Sequence, residues 1–360
     1  MSDPAAPPFS RERQVAERAA LHAAILTKRV LSSVSEISKE DSSPVTVADF
    51  AAQALLTHLV RSEFPKDGFV GEEGSAALRR DDGLGLRVYE LFSSACRRLD
   101  DASSSSSSSS SVPSRDEMLD LIDLGGRSQG GADGRFWTMD PIDGTAAFLR
   151  GEQYAVSLAL LQDGSEVLGV IACPNLKLRD GAIHESSVDA DGLGIMLSAV
   201  RGQGTNVIAL PSSPNDPLVP RRLDRLEPPA SLDQLHIVDC AIGASSGREV
   251  MRRLAASLGA PFPGTDVWSS HVRYAALAIG GGHVLVRIPS SPEDSSCIWD
   301  HAGAQLIFTE LGGRVTDLDG KAIDFTAGRH LSRNRGLVAA QADIHDKLLS
   351  LVQDLARQQL

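Results

Sequence analysis

Residues 137–151 read "WTMDPIDGTAAFLRG". An apolar, strand-like run meets two aspartates, Asp140 and Asp143, set around a proline. Gly-Thr and a short helical apolar run follow at once. Asp140 falls where a strand is expected to end, a usual place for functional side chains in α/β folds. Pro141 has no N–H to give to a ladder, so the chain is expected to turn there. Such a turn can bring Asp143 back beside Asp140 and aim the Ile142 carbonyl into the same space. Two carboxylates and a carbonyl are hard oxygen ligands of the kind magnesium takes. Gly144 permits close backbone approach, and Thr145 opens a helix whose free N–H groups suit a phosphate. A plain Pro-Asp-Gly turn would leave the same local trace.

Working outward, "DGFVGEEG" (67–74) reads as a short strand entering an acidic loop that offers Glu72 or Glu73. "VADFAAQALLTHLVRSEF" (47–64) reads as a helix with Asp49 in or near its first turn, where a carboxylate complements the positive helix end. "IWDHAG" places Asp300 at the N-cap position of another helix. An aspartate at a helix start also serves as an ordinary cap. Trp137 and Trp299 precede the aspartates and are expected to pack the walls of the site. His301 is expected to be structural, since the other side chains proposed as ligands are carboxylates.

Residues 11–34 place Val15, Ala19, Leu21, Ile25, Leu26 and Val30 at helical spacing. "YAVSLALLQ" and "EVLGVIACP" flank Asp-Gly-Ser and read as a hairpin. "IMLSAVRGQGTNVIAL" repeats that pattern. Further strands are expected at "LHIVDC", "GHVLVRI", "GRVTD" and "GLVAA". Helices are expected at "GREVMRRLAASLG", "HVRYAALAIG", "HAGAQLIFTELGG" and near the C-terminus. The fold class is α/β (α+β), with stacked sheets and helices. We divide it into an N-terminal α+β domain over 1–200, holding most of the acids, and a C-terminal α/β domain over 201–360, holding Asp300. Residues 103–111 are unbroken serine, read as a solvated insertion without chemistry.

With 42% apolar residues, the 360-residue chain can bury one large core or two modest ones. No apolar run reaches the roughly 18 residues of a membrane span, and the first residues lack a signal pattern. Cys96, Cys173, Cys240 and Cys297 are scattered, which suggests reduced thiols and a cytoplasmic protein. A net charge of −12 speaks against a nucleic-acid polymer as partner, though not against a small anion drawn to bound metal. "GQG" at 202–204 lacks the rest of a dinucleotide fingerprint, and no P-loop pattern is present.

"VTVADFAAQ", "VGEEG", "DPIDGTAAFLRG" and "IWDHAGAQLIFTELGG", in this order, resemble the magnesium-dependent, lithium-sensitive phosphatases of the inositol monophosphatase superfamily. That group includes inositol monophosphatase, inositol polyphosphate 1-phosphatase and the 3′(2′),5′-bisphosphate nucleotidases. "LTKRV", "SSHVRYAALAIG", "VLVRIP" and "GRHLSRNRGLVAA" resemble the nucleotidase branch of fungi and plants. The likeness runs from about residue 14 to the C-terminus, interrupted by the serine run and a proline-rich loop near 211–230.

The resemblance implies a layered αβαβα sandwich, shared with fructose-1,6-bisphosphatase, and two or three Mg²⁺ ions. Glu72, Asp140 and the Ile142 carbonyl would hold one ion; Asp140, Asp143 and Asp300 would hold a second, with Glu73 behind them. Thr145, with Asp49 and Glu72, would orient and deprotonate the attacking water. Gly144, Thr145, Ser270, Arg273, Arg287 and Asp300 would contact the substrate. The implied activity is removal of the 3′-phosphate from adenosine 3′,5′-bisphosphate, or from the sulfated nucleotide, by a monomeric enzyme. The alternatives are an inositol phosphate substrate, or a silent nucleotide sensor on the same scaffold. One departure stands out. The nucleotidases carry a histidine after the strand matching "LHIVDC"; here the stretch is "DCAIGASSGRE", where only Ser245 and Ser246 match.

Overall fold

The computed structural model describes residues 6–31, 36–38, 44–102, 112–179, 181–190, 192–213, 215–225, 227, 229–240, 245–291 and 294–358. The serine run, 103–111, lies outside them, as do 241–244 of the segment lacking the histidine. The first half contains α1 (Ser10–Val30), a ribbon of β1 (Glu36–Ser38) and β2 (Pro44–Thr46), α2 (Val47–Glu63) and β3 (Gly68–Gly71). Then come α3 (Ala76–Arg80), α4 (Asp82–Ala102), α5 (Arg115–Gly126), β4 (Arg135–Asp143) and α6 (Thr145–Leu149). Strands β5 (Ala155–Gln162), β6 (Ser165–Cys173), β7 (Ile195–Val200), β8 (Thr205–Ala209) and β9 (Arg221–Arg222) complete a seven-stranded sheet in the order β3 to β9.

The second half runs β10 (Ile237–Asp239), α7 (Ser245–Leu258), β11 (Thr265–Asp266), α8 (Ser270–Ile279) and β12 (Val284–Arg287). A 3-10 turn (Ile298–Asp300) leads into α9 (Ala302–Thr309), β13 (Gly313–Thr316), β14 (Leu337–Gln341) and α10 (Ala342–Arg357). Its five strands lie in the order β11-β10-β12-β14-β13.

Alternation along single strands shows how the layers stack. Val156, Leu158 and Leu160 of β5 join one core with α1, α2, α4 and α5, while Ala155, Ala159 and Leu161 join a second core with α8 and α9. The same split occurs in the other sheet. Leu337 and Ala339 of β14 face that second core, and Val338 and Ala340 face a third, shared with α7 and α10. Side chains of a strand point to opposite faces in turn, so each sheet is covered on both sides. The result is five layers, α-β-α-β-α, as the resemblance implied.

Helix α9 lies in the middle layer and is buried from Ala302 through Phe308. A helix that is apolar all round belongs in such a place. Its approach to the first sheet depends on missing side chains: a Cβ on Gly169 would stand 2.3 Å from the Gly303 carbonyl oxygen. Gly169→Ala would therefore lever α9, and the turn before it, off the sheet.

The expected hairpin of β5 and β6 is present and antiparallel, with Asp163 and Gly164 both at positive φ in its turn. No helix among the described residues is long and apolar enough to cross a membrane. Helices α3, α4 and α5 add to the expected elements. Their buried positions, such as Leu84, Val88 and Phe92, do recur at helical spacing.

Candidate active site

The DPIDGT segment departs from its expected form. Strand β4 does not end at Asp140; it continues through Pro141 to Asp143. Asp140 pairs with Ser157 and Asp143 with Ala155, so three steps on β4 match two on β5. The extra residue is a bulge, a position where proline's missing N–H costs no ladder bond. Aspartates three apart on a regular strand would face opposite sides. The bulge returns both to the face shared by Ser157 and Ala155, towards the middle helix layer.

Short polar contacts set this corner. The Ile142 N–H donates to Asp140 Oδ1 at 3.1 Å, and the Thr145 hydroxyl donates to the Ile142 carbonyl at 3.1 Å. Gly144 turns the chain at φ 89°, and a Cβ there would lie 3.0 Å from that of Ser269.

Two other elements complete the pocket. Ser269, capping α8, donates its hydroxyl to Asp143 Oδ2, and the His271 N–H donates to the same oxygen at 2.7 Å. His271 Nε2 donates to the Trp299 carbonyl at 2.8 Å, tying α8 to the 298–300 turn. Burial pushes the His271 pKa down, so the ring stays neutral and this bond fixes its tautomer. Asp300 ends the 3-10 turn, one residue before the N-cap of α9, His301, rather than being the cap itself. Its Oδ2 accepts the Cys297 N–H at 3.3 Å.

Glu72 follows β3 on a loop fixed from behind. Gln53, one helical turn beyond Asp49 on α2, donates to the Glu73 carbonyl at 2.7 Å and accepts the Glu73 N–H at 2.9 Å. Asp123 accepts the Ser75 N–H at 3.0 Å and its hydroxyl at 2.8 Å. Glu73 itself is buried.

Three of the acids, brought by two distant segments, lie together. Ligand atoms of Asp140, Asp143 and Asp300 all lie within 4.8 Å of one another. Glu72 is outside that tightest group, yet its charge weighs on both Asp140 and Asp300. Burial pushes the Asp140 carboxyl far above the usual range, and Glu72, Asp143, Asp300 and Asp49 add to this. Asp300 is pushed up to about 7 by burial, then by Asp143 and Glu72. Asp49 sits in the first turn of α2 and is buried. Carboxylates so crowded fit a hard divalent cation.

The neighbouring arginines already have partners. Arg287, ending β12, pairs with Asp294 at 2.6 Å. Arg273 of α8 donates to the Ser270 hydroxyl at 3.0 Å. Both therefore stand at the site's edge already engaged. Trp137 is not a wall of the site: its indole N–H bonds Asp67 at 2.8 Å, and its ring lies against Phe64 in the outer core. Trp299 does border it, beneath the Arg329 guanidinium, whose carbon is 4.5 Å from the ring centre. His301 is buried with its pKa driven well down by burial, and its Nδ1 lies 3.4 Å from the Tyr274 hydroxyl. Ser245 begins α7.

The chain also compares closely with known proteins. Residues 10–357 match the inositol monophosphatase family. A 3′(2′),5′-bisphosphate nucleotidase of Emericella nidulans is 38% identical over 356 residues, covering 97% of this chain and 99% of the relative. One from Oryza sativa is 34% identical, covering 100% and 98%. Among solved structures, the Thermotoga maritima IMPase aligns with a TM-score of 0.60 at 18% identity, covering 97% of this chain and 99% of its own. The suhB protein of Bartonella henselae aligns at 0.61 and 20%, covering 96% and 99%. These two show the same fold. The five-layer architecture, the converging acids and the full-length likeness lead to one conclusion: the chain belongs to the inositol monophosphatase family.

Proposed function

We propose that this protein is a Mg²⁺-dependent phosphomonoesterase that hydrolyses the 3′-phosphate of adenosine 3′,5′-bisphosphate to AMP and phosphate. The 3′-phosphate of 3′-phosphoadenylyl sulfate is a second substrate. The observation that supports this best is the cluster of Asp140, Asp143 and Asp300, in a chain whose full-length relatives are named as bisphosphate nucleotidases. Glu72, Asp140 and the Ile142 carbonyl would hold one Mg²⁺ and Asp140, Asp143 and Asp300 a second, two or three ions in all. Bound magnesium polarises phosphoryl oxygen and makes water a better nucleophile at neutral pH.

The chain's own groups do the rest. Four carboxylate charges on Glu72, Asp140, Asp143 and Asp300 balance two divalent cations, so the loaded site no longer repels a phosphate. Thr145 orients the attacking water, and Asp49 with Glu72 takes up its proton. The new bond joins water oxygen to phosphorus; the bond to the ribose 3′-oxygen breaks. Gly144 and Thr145 sit against the transferred phosphate. Ser270, Arg273 and Arg287 meet the nucleotide and its retained phosphate, for which a planar guanidinium is well shaped.

By family likeness, lithium inhibits by taking a magnesium position. The four cysteines are free thiols, which fits a reducing cytoplasm; we read the protein as a cytoplasmic monomer. The test is phosphate release from adenosine 3′,5′-bisphosphate, 3′-phosphoadenylyl sulfate and inositol 1,4-bisphosphate at matched concentration with Mg²⁺. Preference for the inositol substrate overturns the proposal. Binding of nucleotide with no release by either wild type or Asp140→Asn would make the protein a sensor.

A further inference from the structure

Glu72 and Asp300 reach the cluster from different layers, and sheet pairing registers only the first of them. Strand β3 runs parallel to β4 and so sets Glu72 against Asp140; Asp300 arrives on the turn before α9. Arg329 spans the two. Its Nη2 donates to the Gly71 carbonyl at 2.7 Å, and its Nη1 donates to the Gly125 and Ser128 carbonyls, both at 2.9 Å. The guanidinium plane covers the Trp299 ring at 4.5 Å. Its main-chain carbonyl accepts the Ile298 N–H at 2.9 Å, and the Leu331 N–H donates to the Ser296 carbonyl at 2.8 Å. Gly71 directly precedes Glu72, and Trp299 directly precedes Asp300.

We infer that Arg329 is a positioning residue that fixes the separation of Glu72 and Asp300, and so the affinity of the site for divalent metal. The inference rests on the metal reading above. The side chain touches neither proposed substrate nor reacting atoms; it acts through the residues it clamps. Lysine keeps a charge but has neither the planar fork nor the stacking face. It cannot hold three carbonyls and an indole at once.

The test uses Arg329→Lys and Arg329→Gln in the full-length protein, each checked for folding by circular dichroism. Mn²⁺ binding to the substrate-free protein is measured by electron paramagnetic resonance and calorimetry. Residues that orient metal ligands typically change affinity by about 10- to 100-fold. We expect Arg329→Gln to bind Mn²⁺ at least about tenfold more weakly and to need about tenfold more Mg²⁺ for half-maximal phosphate release. Arg329→Lys should be intermediate. KM for nucleotide at saturating Mg²⁺ should move less than about threefold. Should Arg329→Gln not fold, the Mn²⁺ affinity of Arg329→Lys decides. The inference is overturned if a folded variant binds Mn²⁺ as wild type does and only its melting temperature changes, or if lysine restores full affinity. Wild type that binds Mn²⁺ but hydrolyses no nucleotide would instead sink the proposed activity and leave the clamp standing.

Discussion

Asp123 and Asp300 are both carboxylates withdrawn from water, and their surroundings treat them in opposite ways. Burial alone would raise Asp123, but the Ser75 N–H and hydroxyl, Arg79 and Arg127 more than offset it and leave the pKa below its ordinary value. At Asp300, burial is reinforced by Asp143 and Glu72; the Cys297 N–H and Arg287 pull back only partly. An acid kept for structure is ringed by donors. An acid kept for a cation is ringed by other acids, and the free protein bears their repulsion until the cation arrives.

The strongest challenge to that contrast is Asp140→Asn. Losing the acid shared by both proposed ions should lower phosphate release by about 10³-fold or more. In EDTA the same variant should melt higher than wild type, because one of the crowded charges is gone. Thermal unfolding with and without chelator checks this, and a lower EDTA midpoint would break the contrast. Asp123→Ala is its mirror. It strips two acceptors from Ser75 and a partner from two arginines, so denaturant titration should show a loss of about 2–3 kcal/mol with or without metal.

A pH series sharpens the comparison further. The folded state holds a proton on Asp300 more tightly than the unfolded state, between the ordinary value of 3.8 and about 7. Its contribution is therefore present at low pH and lost as pH rises through that window. Asp123, with its pKa lowered, contributes in the opposite sense and loses its share as pH falls below 3.8. In EDTA, the stability of Asp300→Asn relative to wild type should therefore grow from about pH 4 to about pH 7, by up to a few kcal/mol. Histidines such as the half-buried His22, pushed down to about 4, are common to both proteins and cancel in the difference. A flat difference would mean that Asp300 feels no crowding.

What could be read beforehand follows the same division between local and distant causes. The apolar runs of β5 and β6, the Asp-Gly turn between them and the first-turn Asp49 are local patterns, and each stands where it was expected. The acids were legible because magnesium chemistry restricts the residue type. The bulge at 140–143 was not, since register belongs to two strands and β5 is what exposes the extra residue. Gln53 and Arg329 were hidden for another reason. They bind main-chain carbonyls, which bear no side-chain identity, and in the case of Gly71 the partner is 258 residues away. The helices from 76 to 126 had a readable period, interrupted by the serine run.

That bulge has an evolutionary corollary. What descends from parent to offspring at this corner is a count as much as a set of letters. A deletion of Ile142 alone would preserve each aspartate, two apart and still on one face of the strand, yet it would erase the bulge and with it the N–H that holds Asp140 and the carbonyl that the Thr145 hydroxyl meets. Natural drift can therefore swap neighbours here far more freely than it can change the length of the loop.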